Sequence, residues 1–159
     1  MGTHCLIGMI RPNRSVTCIY CHYDGYPQYN GKLLLENYQN KDKIKELIEL
    51  GNISYLEKEV APSNGIEHTF YKPAKDVTVS YQRDRGEKGQ QAKSFHTLKE
   101  FYQFYNKSAI NHVYLYDESF KSWLYLNGLA SEINQPTSLQ EKVEKLEALE
   151  QQQFAMKFV

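Results

Sequence analysis

Two segments near the start of the chain, 3–10 and 15–20, are rich in β-branched, aromatic and cysteine residues and lie only four residues apart. Side chains of these types favour β-strands. The short linker between them contains Pro12 and Asn13, which are typical of turns. The sequence therefore predicts that the chain opens with a β-hairpin, and the remaining elements must pack around it.

A second hairpin is predicted from the segments 112–116 and 122–125, which flank a polar turn at 117–120. Across this hairpin, Trp123 and Tyr125 are expected to face Val113 and Leu115. Between the two hairpins, the segment 76–81 alternates apolar and polar residues and predicts a central, half-buried strand. The loop that follows it, 82–93, is polar and is expected to be exposed.

Helical spacing of apolar residues predicts two short helices at 32–38 and 41–50, a third that begins at Thr97, and a C-terminal helix at 137–155. The last helix begins at a capping box, formed either by Thr137 with Gln140 or by Ser138 with Glu141. Together, these strands and helices predict a single α+β domain over residues 1–159. We expect a mainly antiparallel sheet, built from two hairpins and a central strand, with the helices packed on one face.

Composition restricts the possible functions. The 159 residues include 19 basic and 19 acidic ones, so no net charge attracts the chain to nucleic acid or to an anionic membrane. The three cysteines follow no secretory signal, and no segment has the roughly 20 apolar residues of a membrane span. A soluble cytoplasmic protein is expected. Thirteen tyrosines favour a binding surface, because tyrosine joins a large ring to a polar hydroxyl.

Reactive side chains are concentrated where the first hairpin ends. Cys21, His22 and Asp24 lie within four positions and could serve in catalysis or in metal binding. Cys18 and Cys21 form a CxxC, yet on a strand they face opposite sides, and no second ligand pair completes a zinc site. We predict no metal, no cofactor and no catalytic residue. Chemistry by Cys21 and His22 stays open as the alternative.

The candidate partner-binding residues lie in three predicted loops. The first follows the opening hairpin, where an Asp-Gly turn is expected to expose an aromatic platform. The second is the charged loop after the central strand, and the third is the turn of the second hairpin. The candidates in chain order are Tyr23, Asp24, Tyr26, Tyr29, Asp84, Arg85, Glu87, Asp117 and Glu118.

The N-terminal pattern resembles a family of small proteins encoded by bacteriophages and mobile elements. The residues that carry the resemblance are 2–8, 20–27, Gly31, 34–36, 47–54 and 83–87. The family commonly has Arg at the position of His4. The size, the Lys-rich composition and the C-terminal helix are similar to those of type II-A anti-CRISPR proteins, which inhibit Cas9. The resemblance implies a phage protein that acts in the cytoplasm of its bacterial host.

This resemblance implies host Cas9, with or without its guide RNA, as the partner. Cas9 must swing its HNH nuclease domain onto the target strand before it cleaves. A neutral, Tyr-rich chain is better suited to bind a protein surface and block that movement than to imitate DNA. We therefore expect a stoichiometric inhibitor, with the HNH domain as one candidate docking site. The alternatives are a phage enzyme that uses Cys21 and His22, and a structural or housekeeping phage protein that self-associates through 139–149.

Overall fold

The computed structural model of the chain describes residues 3–105, 109–128 and 135–157. Its described strands form one mixed sheet, in the spatial order β4-β3-β2-β1-β6-β7-β8, with β5 paired to β2. Their bounds are β1 Cys5–Ile10, β2 Val16–Cys21, β3 Ile53–Tyr55, β4 Val79–Ser80, β5 Lys93–Phe95, β6 His112–Asp117, β7 Ser122–Asn127 and β8 Thr137–Ser138.

Both predicted hairpins are present. Strands β1 and β2 pair antiparallel, and so do β6 and β7. The two hairpins join through a parallel pairing of β1 with β6, so that all six residues of β1 have a strand partner on each side. The predicted α+β class, with a mostly antiparallel sheet and a C-terminal helix, is confirmed.

Several of the described helices begin at a side-chain cap that the sequence provides. Asn40 accepts a hydrogen bond from the Asp42 backbone N–H at 2.7 Å, and Thr97 accepts one from that of Glu100 at 3.1 Å. Of the two predicted capping boxes, Ser138 provides the cap, at 3.3 Å from the Glu141 nitrogen. The helices are α1 Lys32–Asn37, α2 Lys41–Glu49, α3 Tyr81–Arg85, α4 Leu98–Tyr105 and α5 Leu139–Met156, and a π-helical turn, Pro27–Gly31, precedes α1.

The helices cover both faces of the sheet, which corrects the expectation of one covered face. On one face, Cys5, Ile7 and Met9 of β1 pack with side chains of α1, α2 and α5. On the other face, Leu6 and Ile10 pack with α4. Because successive side chains of a strand point to opposite faces, the fully buried β1 must supply apolar residues to both cores.

The register of the second hairpin also differs from the prediction. Trp123 lies opposite Tyr116, and Tyr125 lies opposite Tyr114, one residue away from the expected partners. A shift of one residue exchanges the faces. The aromatic side chains therefore line the face of α1 and α5, while Val113 and Leu115 line the face of α4.

The predicted central strand at 76–81 is much shorter and lies at the edge of the sheet. Only Val79 and Ser80 form β4, which pairs with β3 alone on the main path of the sheet. The Ser80 hydroxyl accepts a hydrogen bond from the Arg83 backbone N–H at 3.2 Å, so Tyr81 begins α3 instead of extending the strand. The predicted exposed loop at 82–93 accordingly contains most of this helix and the first residue of β5.

Helix α5 packs on the sheet through its first half, where Leu139 and Val143 are buried. Further along, Leu149 is 46% exposed, so the predicted apolar seam of this helix is only partly covered.

Among the described residues, no helix combines the length and the apolar character that crossing a membrane requires.

Candidate interaction surface

The turn that follows β2 has a defined conformation. Asp24 adopts a left-handed backbone with φ of 58°, which Asp tolerates better than most residues. The Gly25 N–H then donates to the Thr3 carbonyl at 2.8 Å and holds the turn against the start of β1. The chain thus bends at Asp24 and Gly25, as predicted, but the positive φ belongs to Asp24 and not to the glycine.

Buried side chains hold the backbone of this turn in place. The side-chain amide of Asn30, which is fully buried, donates to the Tyr23 carbonyl at 3.2 Å, and the Asn30 backbone N–H donates to the Asp24 carbonyl at 3.3 Å. The hydroxyl of Tyr114, from β6, donates to the carbonyl of Gly25. These hydrogen bonds restrict the backbone before any partner binds.

Gly25 allows this close approach. A Cβ atom at this position would lie 2.7 Å from the Thr3 carbonyl oxygen and 2.9 Å from the Cys5 Cβ. We expect Gly25→Ala to lower the free energy of unfolding by about 2 kcal/mol, because the turn must move away from β1. Gly65→Ala is the control. Gly65 has a φ of 82°, and nothing lies within 4 Å of the Cβ that alanine would add, so backbone strain alone should lower the free energy of unfolding by about 1 kcal/mol. Urea unfolding measures both, and an equal loss would contradict the steric argument.

Three tyrosines project from this fixed turn. Tyr23, Tyr26 and Tyr29 are 47%, 39% and 38% exposed, respectively. The rings of Tyr26 and Tyr29 lie 6.1 Å apart, and the ring of Tyr23 stands edge-on to His22 at 4.5 Å. The predicted exposed aromatic platform is therefore present in the structure, although its binding role stays a prediction.

The aromatic surface continues across β3 toward α3. The Tyr23 N–H donates to the Ser54 carbonyl at 3.0 Å, which places the turn beside β3. The Tyr81 N–H donates to the carbonyl of Asn52, directly before β3, at 3.3 Å. The start of α3 therefore also lies beside β3. We call the surface formed by the following residues the tyrosine face: Tyr23, Tyr26, Tyr29, Tyr55, Tyr81, Phe70, Tyr71 and Arg85.

Three phenols of this face, those of Tyr29, Tyr55 and Tyr81, have a raised pKa. Partial burial, and then nearby carboxyl groups, raise the pKa of Tyr29 and of Tyr55. Burial also raises the pKa of Tyr81, even though the hydroxyl of Ser54 and the charge of Arg85 act in the opposite direction. Each hydroxyl can therefore donate a hydrogen bond to a partner.

Arg85 and Glu87, two of the predicted binding residues, lie at the edge of the tyrosine face. The Arg85 guanidinium stacks on the ring of Phe70, 4.3 Å from its centroid, and lies 5.0 Å from that of Tyr81. It also forms an ion pair with Glu87. The cation thus lies over the aromatic rings while its side chain stays partly exposed.

Asp84 does not lie on this surface, which corrects the expectation of an exposed carboxylate. Its side chain is 3% exposed and accepts hydrogen bonds from the Ser80 N–H at 2.8 Å and from Arg83 Nε at 2.8 Å. The buried His68 ring lies 3.2 Å away. Asp84 thus joins α3 to the loop that carries His68, and its role in the structure is to hold these segments together.

Asp117 and Glu118 lie far from the tyrosine face. Asp117 pairs in register with Ile10, whereas the aromatic turn adjoins Cys5 at the other end of β1. Six extended residues separate these ends by about 17 Å. Asp117 is also 2% exposed, which is a second correction to the expected surface of exposed carboxylates.

Asp117 instead stabilises the turn of the second hairpin. It accepts hydrogen bonds from Arg14 at 2.9 Å and from the Ser119 N–H at 3.0 Å. We expect Asp117→Ala to lower the free energy of unfolding by about 2 kcal/mol, because these donors lose their acceptor. Glu118→Ala should cost less than about 1 kcal/mol, because its ion pair with Lys41 spans 3.6 Å and the lysine side chain is 49% exposed. Urea unfolding measures both values, and a larger loss for Glu118→Ala would contradict this assignment.

The reactive residues near the turn are separated from one another. Cys21 is buried, while the His22 ring, on the other side of the strand, is hydrogen-bonded through Nδ1 to the Tyr20 hydroxyl at 2.8 Å. Burial raises the pKa of the Cys5 thiol well above its usual range and that of Cys18 to about 12. These two thiols are therefore poor nucleophiles at physiological pH.

Cys18 and Cys21 pack in different cores, on opposite faces of the sheet, as the strand geometry predicts. Within residues 3–105, 109–128 and 135–157, no three His, Cys, Asp or Glu side chains are grouped so that they could hold a metal ion. The arrangement around Cys21 thus offers packing and hydrogen bonding, and the surface above it offers contacts to a partner.

Four members of the tyrosine face are not among the predicted binding residues: Tyr55, Phe70, Tyr71 and Tyr81. The alternating pattern predicts a half-buried strand that ends at Tyr81. The signal for Tyr71, which is 83% exposed, is its place in a loop that contains little apolar sequence.

Comparisons with known proteins add no relative. A scan against protein families finds no match, and searches of curated proteins and of solved structures find none either.

Proposed function

We propose that this chain is a phage anti-defence protein that binds a host protein stoichiometrically through the tyrosine face and thereby inhibits it. The observation that supports the proposal best is the turn at 23–31, which holds three exposed tyrosines on a fixed backbone. A surface that is ordered before binding loses less conformational entropy when the complex forms.

Tyrosine suits such a surface for physical reasons. Each ring provides a large contact area with only two rotatable side-chain bonds, and each hydroxyl can donate or accept a hydrogen bond. Residues that dominate binding energy at protein interfaces are enriched in Tyr and Arg. The tyrosine face contains both, since Arg85 lies over the rings of Phe70 and Tyr81.

The charges near the face favour a basic protein surface over nucleic acid. Asp24, Glu57 and Glu87 lie beside its tyrosines, and Arg85 is already paired with Glu87. Burial, and then the charge of Asp76, raise the pKa of Glu57. Carboxylates around an aromatic centre complement basic side chains such as those that line a nucleic-acid channel.

The resemblance to type II-A anti-CRISPR proteins makes Cas9 the partner in this proposal, and the bacterial cytoplasm the place of action. The proposed mechanism is steric. By binding to the HNH nuclease domain, the chain would prevent that domain from docking on the target strand, which cleavage requires. Binding of the guide RNA and of the short protospacer-adjacent motif would then persist while cleavage stops.

Cleavage of a plasmid by guide-loaded Cas9 at rising molar ratios of this protein tests the proposal, with size-exclusion chromatography of the same mixtures. We expect inhibition to saturate near one inhibitor per Cas9, with co-elution of the two proteins. Inhibition at a small fraction of the Cas9 concentration would contradict a stoichiometric binder and would favour the enzyme alternative. Full cleavage without co-elution would overturn the assignment of Cas9 as the partner.

A further inference from the structure

A cavity of about 460 Å³ opens on the face of the sheet that α4 covers. Helix α4 has eight residues and is thus about 12 Å long, too short to cover the whole sheet. Its Phe101 and Tyr105 pack in the core of this face, together with Ile10 and Val16 at one end of the first hairpin. The other end of the hairpin forms the cavity. Its volume lies within the range of small-ligand pockets, about 300–1,000 Å³.

The floor of the cavity is apolar. Leu6, Cys18 and Ile110 line it, and each is at most 4% exposed as a residue. The ring of Phe104, from α4, forms one wall. A planar apolar group placed here would pack against these buried side chains and against the partly exposed ring of Phe104.

The polar mouth of the cavity is held in place. The Tyr20 hydroxyl is bonded to His22 Nδ1 at 2.8 Å, and the His4 ring stacks on the His22 ring with 4.6 Å between centroids. His4 Nδ1 lies 2.7 Å from the His22 carbonyl oxygen and therefore carries the proton that it donates. This leaves His4 Nε2 without a hydrogen-bond partner among the described residues.

Lys93 supplies a positive charge at the same mouth. It pairs with Cys18 across β5 and β2, and its ammonium lies 4.7 Å from the centroid of the Phe104 ring. In the described part of the chain, Lys93 forms no ion pair, and no carboxylate lines the cavity. The charge of the site is therefore positive, above an aromatic and aliphatic interior.

We propose that this cavity binds a small aromatic anion, whose ring packs against Leu6, Cys18 and Phe104 and whose carboxylate or similar acidic group pairs with Lys93. His4 Nε2 lies within the same mouth as a further polar contact. The proposal concerns a different surface from the tyrosine face. It is tested on the protein alone, so its failure would leave the proposed inhibition of Cas9 untouched.

Isothermal titration calorimetry of the full chain with naphthoate tests this site, with neutral naphthylmethanol as the uncharged probe. We expect one saturable naphthoate site per chain. Lys93→Ala should weaken naphthoate binding about fivefold, because the ion pair is partly exposed, and should leave naphthylmethanol binding unchanged. Lys88→Ala, in an exposed loop away from the cavity, is the matched control and should bind both probes like the wild type.

A second variant tests the location. Ala109 lies exposed at the cavity mouth, and Ala109→Trp should fill it and weaken binding of both probes by at least tenfold. Melting curves by circular dichroism establish that each variant is folded. Absence of saturable naphthoate binding to the wild type would overturn the proposal. So would naphthoate affinity that neither Lys93→Ala nor Ala109→Trp changes.

Discussion

Replacing Tyr26 and Tyr29 together with alanine should weaken binding to the partner by about 100-fold or more. Aromatic residues at the centre of an interface commonly contribute 2 kcal/mol or more each when truncated, and a factor of ten corresponds to about 1.4 kcal/mol. These two rings lie 6.1 Å apart at the tip of the turn, so a partner that covers one also covers the other. The measurement is the concentration of protein that halves Cas9 cleavage, together with the dissociation constant.

The double variant should still fold. The two side chains are 39% and 38% exposed, and the turn is held by the buried Asn30 and by backbone hydrogen bonds instead of by these rings. Surface substitutions of this kind usually change the free energy of unfolding by about 0.5 kcal/mol. A melting temperature close to that of the wild type will show that lost binding reflects lost contacts.

Phe120→Ala is the matched control for an exposed aromatic side chain. Phe120 is 76% exposed and lies in the turn of the second hairpin, at the opposite end of the sheet. The Phe120→Ala variant should bind the partner as tightly as the wild type does. If Phe120→Ala weakens binding as much as the double variant does, or if the double variant binds normally, the tyrosine face is not the interface.

Replacing Asp84 of α3, whose side chain is buried, with alanine should lower the free energy of unfolding by about 3 kcal/mol, the largest loss that we expect among the predicted binding residues. Arg83 and the Ser80 N–H would both lose their acceptor, in a site where the Asp84 side chain is 3% exposed. Glu67→Ala is the control, since Glu67 is 65% exposed and pairs with Lys72, which is exposed as well. It should cost less than about 1 kcal/mol in the same urea titration.

The same residue should make stability depend on pH in acid. Burial raises the pKa of Asp84, but the hydrogen bonds from Arg83 and Ser80 and the charges of Arg83 and His68 outweigh it and lower the pKa below 3.8. A carboxyl group with a lowered pKa in the folded state adds stability above its unfolded pKa, and this stability is lost as the pH falls through the folded value.

We therefore expect the free energy of unfolding to fall below about pH 4, and this loss to be smaller in Asp84→Asn, which cannot be protonated in that range. Urea unfolding of both proteins between pH 7 and pH 2 measures the difference. Parallel pH profiles, or an Asp84→Ala variant as stable as the wild type, would contradict the structural role assigned to this carboxylate.

The features predicted correctly from the sequence depend on short stretches of chain. Hairpins need neighbouring strands, and the caps at Asn40, Thr97 and Ser138 act within three residues of themselves. The covering of both faces follows instead from the parallel pairing of β1 with β6, more than 100 positions apart, which no local pattern specifies.

For the candidate site, too, the local features could be predicted from the sequence and the long-range contacts could not. The Asp-Gly turn and its three tyrosines could be predicted, because turn chemistry and aromatic content are local properties. The burial of Asp117 could not, since its partner Arg14 lies 103 positions away in the sequence. In the same way, the alternation that ends at Tyr81 predicted a strand, and the competing cap at Ser80 turned this residue into the start of a helix.

Hydrogen–deuterium exchange of the protein, free and in complex with guide-loaded Cas9, tests the tyrosine face most directly. We expect slower exchange in the complex for peptides that cover 22–31 and 81–87, with no change at 118–121. Slower exchange confined to 118–121 or to the end of α5, with the turn at 22–31 unchanged, would contradict it.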